Sequence, residues 1–311
     1  GTIHASGTGF NPAHPGASAT MKASMQELSY NGCTLAPLSL DAEINHGEYG
    51  IDMRAAAPHF NLTLNGKGHI DADTYYIDAD ADVTYLDLQA LGLMPDICRG
   101  SGKISLHGNA NPTAMLFDLD MSTYDVDWEY AGKFYALRHA LDASLLATEE
   151  MTDLEVHGQE LNATFHAPLS LRGFMAAIDK AMPLIHSQIE NKQIDFEALQ
   201  PALPPFSLSL DALGAGLLSE LLDGTGYSAE SLRANISNDS KILGDIKILS
   251  ASSGEQMTLD TVTLNLSQRG KLMDYRLHLG NRPGNMPEFA QVTASGYVGG
   301  NRASLFVRQK N

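Results

Sequence analysis

The sequence predicts a mainly β protein: repeated antiparallel strands forming a curved sheet or β-groove, or else a closed β-sandwich, with an α-helical insertion at about residues 170–224. Three observations carry this. Apolar and polar residues alternate with period two along most of the 311-residue chain, as they must where successive strand side chains point to opposite faces. A short phrase, apolar-polar-apolar-polar-Gly, recurs. One stretch drops the alternation for helical spacing. An apolar content of 43% supplies the surface to be buried.

Residues 1–34 form an N-terminal segment without a firm pattern. A first β-rich region is expected over 35–169. There Leu38, Leu40, Ala42 and Ile44 alternate with Ser39, Asp41 and Glu43, and Ile77, Ala79, Ala81, Val83 and Tyr85 alternate with Asp78, Asp80, Asp82 and Thr84. Phe117, Leu119 and Met121 continue the theme, as do Leu161, Ala163 and Phe165. Between Met121 and Tyr124 the phase slips by one residue, which predicts a bulge with Tyr124, Val126 and Trp128 on the apolar side. That phase implies burial of Trp128, the single tryptophan. The glycine phrase occurs at Leu62 to Gly66, Ile104 to Gly108, Leu154 to Gly158 and Val292 to Gly296. Glycine after such a run suits a positive-φ turn between strands. The spacings, 42 residues from Leu62 to Ile104 and 50 from Ile104 to Leu154, suggest a repeated strand-pair unit.

From Leu171 the apolar residues Leu171, Phe174, Met175, Ile178, Met182, Ile185 and Ile189 make one stripe of an amphipathic helix, which Pro183 should kink. Its polar face offers only Arg172, Lys180 and Lys192 as cations, so packing on the sheet is the simpler account than a membrane surface. Pro201, Pro204 and Pro205 stop any helix there, and Leu213, Leu217, Leu218, Leu221 and Leu222 predict a second, short helix capped by Asp211. A second β-rich region over 225–311 includes Val262, Leu264 and Leu266, then Met273, Tyr275, Leu277 and Leu279.

Lys plus Arg number 20 against 37 Asp plus Glu, a net charge of -17, which argues against nucleic acid as a partner. From Arg269 the balance reverses: Arg269, Lys271, Arg276, Arg282, Arg302, Arg308 and Lys310 face only Asp274 and Glu288, which reads as a basic strand face more readily than as a docking surface. No motif of catalysis is found. Counting from Asp78, a calcium loop would need Gly and Glu where Val83 and Gln89 stand, so Asp71, Asp73, Asp78, Asp80 and Asp82 read as a solvated strand face. The 11 His show no zinc spacing, no glycine pair completes a dinucleotide fingerprint, and there is neither a P-loop nor a nucleophile elbow. No metal or cofactor is expected. Cys33 and Cys98 are the two cysteines and could form a disulfide in an oxidising compartment. No apolar run approaches the ~18 residues that span a bilayer. The chain opens on Gly1 without a leader segment, so it is expected to be a piece of a longer protein whose membrane anchor lies elsewhere.

The run TLDTVTLNLSQRGKLMDYRLHLGNRPG (258–284), followed by FAQVTASGYVGGNRASLFVRQKN (289–311), resembles the TamB-like members of the AsmA/TamB superfamily, particularly the Bacteroidetes type. LNGKGHIDADTYYIDADADVTYLDLQALGL (64–93) looks like that family's repeated phrase, and PALPPFSLSLDALGAGLLSELLD (201–223) is similar to its proline-containing segment. The resemblance implies a periplasmic protein, tethered to the inner membrane by a helix outside this piece, whose β-groove carries phospholipid acyl chains toward the outer membrane. It further implies a role in outer-membrane protein assembly with a partner β-barrel, and no catalytic residues. The groove lining would then be drawn from Ile77, Ala79, Ala81, Val83, Phe117, Leu119, Met121, Val262, Leu264, Leu266, Tyr275 and Leu277. A different class remains open: a secreted β-sandwich serving as an adhesion or glycan-binding module. An enzyme stands third and would need a cleft joining a carboxylate to a His with perturbed pKa values. The deciding question is physical. The apolar strand faces must be covered by a second sheet, by the helices, or by lipid tails.

Overall fold

The computed structural model describes the chain apart from residues 9–15, 31–32, 215–217, 219–221, 223–226, 254–256, 283–290 and 311, and at 30, 33 and 257 it describes the backbone alone. The protein is 67% strand, which places it among mainly β folds. It divides into two compact units, Gly1–Leu146 and Ala147–Asn311.

The first unit is an antiparallel meander. Its strands are β1 (Thr2–Thr8), β2 (Ser18–Met25), β3 (Ser29–Tyr30), β4 (Cys33–Thr34), β5 (Leu38–Asn45), β6 (Glu48–Ala57), β7 (Phe60–Asp71), β8 (Thr74–Asp87), β9 (Cys98–Asn111), β10 (Leu116–Tyr130), β11 (Lys133–Leu137) and β12 (Leu141–Ala147). β3 and β4 pair only with each other. The remaining strands pair in the order β1-β2-β5-β6-β7-β8-β9-β10-β11, with β12 also on β10, so the N-terminal segment joins the sheet that the alternating residues build. Two-residue turns at positive φ make the tight hairpins: His46 and Gly47 at 53° and 88°, Ala131 and Gly132 at 49° and 81°. Such turns match the right-handed twist of the strands they join.

The second unit runs β13 (Thr152–Gly158), β14 (Leu161–Ala167), α1 (Leu171–Glu190), α2 (Phe196–Ala202), β15 (Phe206–Leu213), β16 (Tyr227–Ser228), β17 (Ser231–Asn238), β18 (Ile242–Ser253), β19 (Met257–Arg269), β20 (Leu272–Gly280), β21 (Gln291–Gly299) and β22 (Arg302–Lys310). Its strands pair antiparallel in the order β13-β14-β15-β17-β18-β19-β20-β21-β22, with β16 on the far end of β18. In neither unit does the first strand of this order pair with the last, so each sheet is open rather than closed.

The structure revises several sequence expectations. Gly66, Gly108 and Gly296 lie inside β7, β9 and β21, and only Gly158 ends its strand. At those three positions the glycine serves close packing, not strand hand-over. The β10 bulge falls between Tyr124 and Asp127, with Asp125 at φ 55°, so Tyr124 stays on the polar face, with Lys103 Nζ 5.8 Å from its ring centre. Helix α1 begins where periodicity placed it, capped by the Ser170 hydroxyl, which accepts from Gly173 N. The second predicted helix does not begin at Asp211: Asp211 and Leu213 belong to β15, where Asp211 faces Arg233 across the β15–β17 ladder. Further along that prediction Leu218 and Leu222 are helical, and the rest, including Leu217 and Leu221, lies outside the described residues. A short helix that the sequence did not predict, α2, forms earlier, capped by the Asp195 carboxylate and running through Pro201.

Candidate functional site

Residues directly opposite one another in a ladder share a face, so the registers show where the alternating side chains converge. In the first unit one row crosses eight strands as Ile3, Ala23, Leu40, Met53, Leu64, Ala81, Ile104 and Thr123. The next row holds Ala5, Met21, Ala42, Ile51, Gly66, Ala79, Leu106 and Met121, and a third carries Ile44, Tyr49, Gly68, Ile77, Gly108 and Leu119. The opposite face is charged: Lys22 pairs with Asp41 at 2.6 Å, and Asp78 lies between Lys67 at 3.1 Å and His107 at 2.8 Å. Lys67, seconded by His107, holds the Asp78 carboxyl below the ordinary carboxylate range. Asp78, Asp80 and Asp82 are thus the solvated side of β8.

The second unit repeats the division over nine strands. Leu154, Phe165, Leu208, Ile236, Gly244, Leu266, Tyr275, Gly296 and Leu305 form one row; Val156, Ala163, Leu210, Ala234, Ile246, Leu264, Leu277, Ala294 and Val307 form the next. Every predicted lining residue therefore sits on an apolar face. Ile77, Ala79, Ala81, Val83, Phe117, Leu119 and Met121 share one in the first unit, and Val262, Leu264, Leu266, Tyr275 and Leu277 share one in the second.

These faces are not cores. All twelve residues are half-buried, and the fully buried apolar set is dominated by alanines. The substantial contacts of the first unit are all between neighbouring strands, and no described helix lies in it. The chain exposes 18453 Å², whereas two separate compact globules of half its mass would expose roughly 15,000 Å². A sandwich would have buried both inner faces in one shared core.

Two matching clasps stiffen the apolar faces. Tyr49 stands opposite Gly68 and donates its hydroxyl to the Tyr76 carbonyl on the next strand at 2.9 Å; Tyr275 stands opposite Gly296 and donates to the Ser304 carbonyl at 2.8 Å. Each tyrosine crosses a strand whose glycine leaves room for it: a Cβ on Gly68 would lie 2.7 Å from the Tyr49 hydroxyl. Partial burial raises the Tyr49 pKa above the ordinary phenol value.

In the second unit the helices close one end of the apolar face. Phe174 of α1 meets Phe165 and Phe206 with ring centres 5.2 and 6.5 Å away, while Ile189 reaches Val298 and Ala303 around a shared hollow. The 15 residues between Phe174 and Ile189 span roughly 22 Å, close to the roughly 24 Å of five strand spacings from β15 to β21. The α2 segment fastens the cap to the hairpin ends. Asn238, only 1% exposed, turns its Nδ2 toward the carbonyls of Gln200, Leu203 and Pro204. Gln268 Nε2 donates to Phe196 O, and Gly300 N donates to Ile194 O. Met273, buried in β20, lies at this end.

Some features escaped sequence reading. Trp128 is 43% exposed, tilted against Tyr135 at 5.6 Å, rather than buried. Along the α1 stripe, Met175, Met182 and Ile189 remain exposed; their spacing of seven residues was the available signal. Cys98 is a free thiol in β9, and the side chain of its predicted partner, Cys33, lies outside the described residues. No protein-family model, curated protein or solved structure matches this chain.

Proposed function

We propose that this chain is a non-catalytic, periplasmic segment of a cell-envelope protein of the TamB-like type. On this reading it holds phospholipid acyl chains on its apolar sheet faces, conducts them between inner and outer membrane, and supports outer-membrane assembly together with a β-barrel partner. The observation that carries the reading is the half-exposed apolar face, continuous over many strands and backed by a charged one. Each methylene laid on such a surface contributes about 0.8 kcal/mol, so a single acyl chain has ample reason to stay. The sheets are open, so a chain can enter from the side.

The purified protein is expected to co-extract phospholipid, detected by native mass spectrometry. Replacing the facing pair Leu264 and Leu277 by Arg and Asp should abolish this for the second unit while the far-ultraviolet dichroism of the strands persists. Absence of bound lipid after incubation with liposomes would sink the proposal.

A second reading, a glycan-binding module, draws on the exposed Trp128 and its neighbour Tyr135, because sugar rings stack on exposed aromatic faces. Glycan-array binding that disappears in Trp128→Ala would favour it.

A further inference from the structure

The C-terminus of α1 contains a lysine where the backbone favours glycine. Lys192 N donates to Ile189 O and Gln193 N to Gln188 O, both at 3.0 Å, and Lys192 has φ 53°. This is the paired closure in which the residue after the C-cap turns left-handed, and glycine is the residue of lowest cost there. The position thus carries a charged side chain where glycine would cost least, and that side chain stands beside a hollow. The same hydrogen bonds satisfy the last helical carbonyls, which otherwise repel an anion.

Lys192 borders a hollow of about 430 Å³ between the end of α1 and the β21–β22 turn. Its apolar wall is Ile189, Ile194, Val298 and Ala303; its polar wall includes Asn301 and Arg302, and among the described residues no carboxylate lines it. Two neighbouring cations are already engaged, Arg269 by Asp274 and Lys271 by Asp195. Lys192 and Arg302 make no ion pair among the described residues. Val298 and Ala303 continue directly into the apolar face, opposite each other and beside Met273. The hollow therefore joins two unspent positive charges to the end of an apolar track, in a protein whose net charge is -17.

We infer that this hollow receives the headgroup of an anionic phospholipid, its phosphate against Lys192 and Arg302 and its acyl chains running over Val298 and Ala303 onto the sheet. The inference rests on the lipid-binding reading above and specifies where, and for which headgroups, that binding is selective.

The test uses the full chain, freed of lipid and incubated with mixed phosphatidylglycerol–phosphatidylcholine vesicles, with bound lipid counted by class in native mass spectrometry. The parent should retain phosphatidylglycerol in preference, and K192G combined with R302Q should keep total lipid while losing roughly fivefold or more of that preference, as expected for two exposed ionic contacts. K192G alone should melt no lower than the parent, since glycine suits that backbone. A parent without preference, a preference that survives the double substitution, or a clear drop in the melting point of K192G would each overturn the assignment while leaving lipid binding intact. A parent that binds neither lipid would overturn the underlying reading and this inference with it.

Discussion

A Cβ built on Gly68 would stand 1.7 Å from the Tyr76 carbonyl oxygen, and one on Gly296 would stand 2.0 Å from that of Ser304. Both are backbone atoms that cannot step aside, so alanine at either glycine must push the paired strands apart. Gly68→Ala and Gly296→Ala should each destabilise their unit by at least about 2 kcal/mol. Tyr49→Phe and Tyr275→Phe, which lose only a hydrogen bond, should cost about 1 kcal/mol. Urea denaturation midpoints check the order, and a glycine variant milder than its tyrosine partner would refute it. The individual tyrosines and glycines are plain in the sequence. Their meeting is not, because it depends on cross-strand register that turns such as His46-Gly47 and Gly300-Asn301 impose from a distance. The same non-locality misplaced Tyr124, whose face depends on a bulge a single residue further along β10.

At the scale of elements, the helical cap shows what periodicity can and cannot reveal. Seven apolar residues located α1 correctly, but read as one stripe they combined Phe174, which packs on Phe165 and Phe206, with the exposed Met175 and Met182. Helix α2 has only seven residues and contains Pro201, so its sequence argues against it; the Asp195 cap and tertiary bonds make it helical. Partial burial pushes the Asp195 carboxyl up, but the Lys271 ammonium and the Ala198 and Glu197 amides outweigh this and leave it below its ordinary value. Conversely, Asp211 and Leu213, expected at the start of a helix, were drawn into β15 by strand pairing with β17, while Leu218 and Leu222 further on are helical. Propensity yields where a neighbouring strand edge offers a full ladder. Asn238 is the fastening of the cap. Asn238→Ala leaves the carbonyls of Gln200, Leu203 and Pro204 without that donor and should destabilise the second unit by about 2–3 kcal/mol, read by chemical denaturation. A change within error would show that the cap is held without Asn238, by α1 and the Gln268 and Gly300 bonds.

Over the whole molecule, the amphipathic strands were legible because alternation is a local property. Whether their apolar side would be covered was not, since coverage depends on which distant element comes to lie opposite. In this chain the described elements cover one end of one face. Folding thus removes less apolar surface from water than it does in a compact domain. Calorimetry should find a heat-capacity increment of unfolding below the roughly 12–15 cal/mol/K per residue of ordinary globular proteins, and a non-ionic detergent or phospholipid below solubilising levels should raise the melting temperature by binding the folded state. An increment in the ordinary range, with no response to either amphiphile, would mean that the faces are sealed in solution.

The order of pairing has a further consequence. In the first unit each strand from β6 to β10 pairs with its predecessor and its successor in the chain, and Leu40 of β5, Met53, Leu64 and Ala81 of β8 stand in one row. Excising residues 48–71, the β6–β7 hairpin, would bring β8 beside β5 with strand direction still alternating and Ala81 beside Leu40. The sheet would narrow by two strand spacings, roughly 9–10 Å, and keep its amphipathic sidedness. Reach is therefore a quantity this architecture can adjust in whole hairpins, lengthening or shortening the track without rewriting the residues that remain.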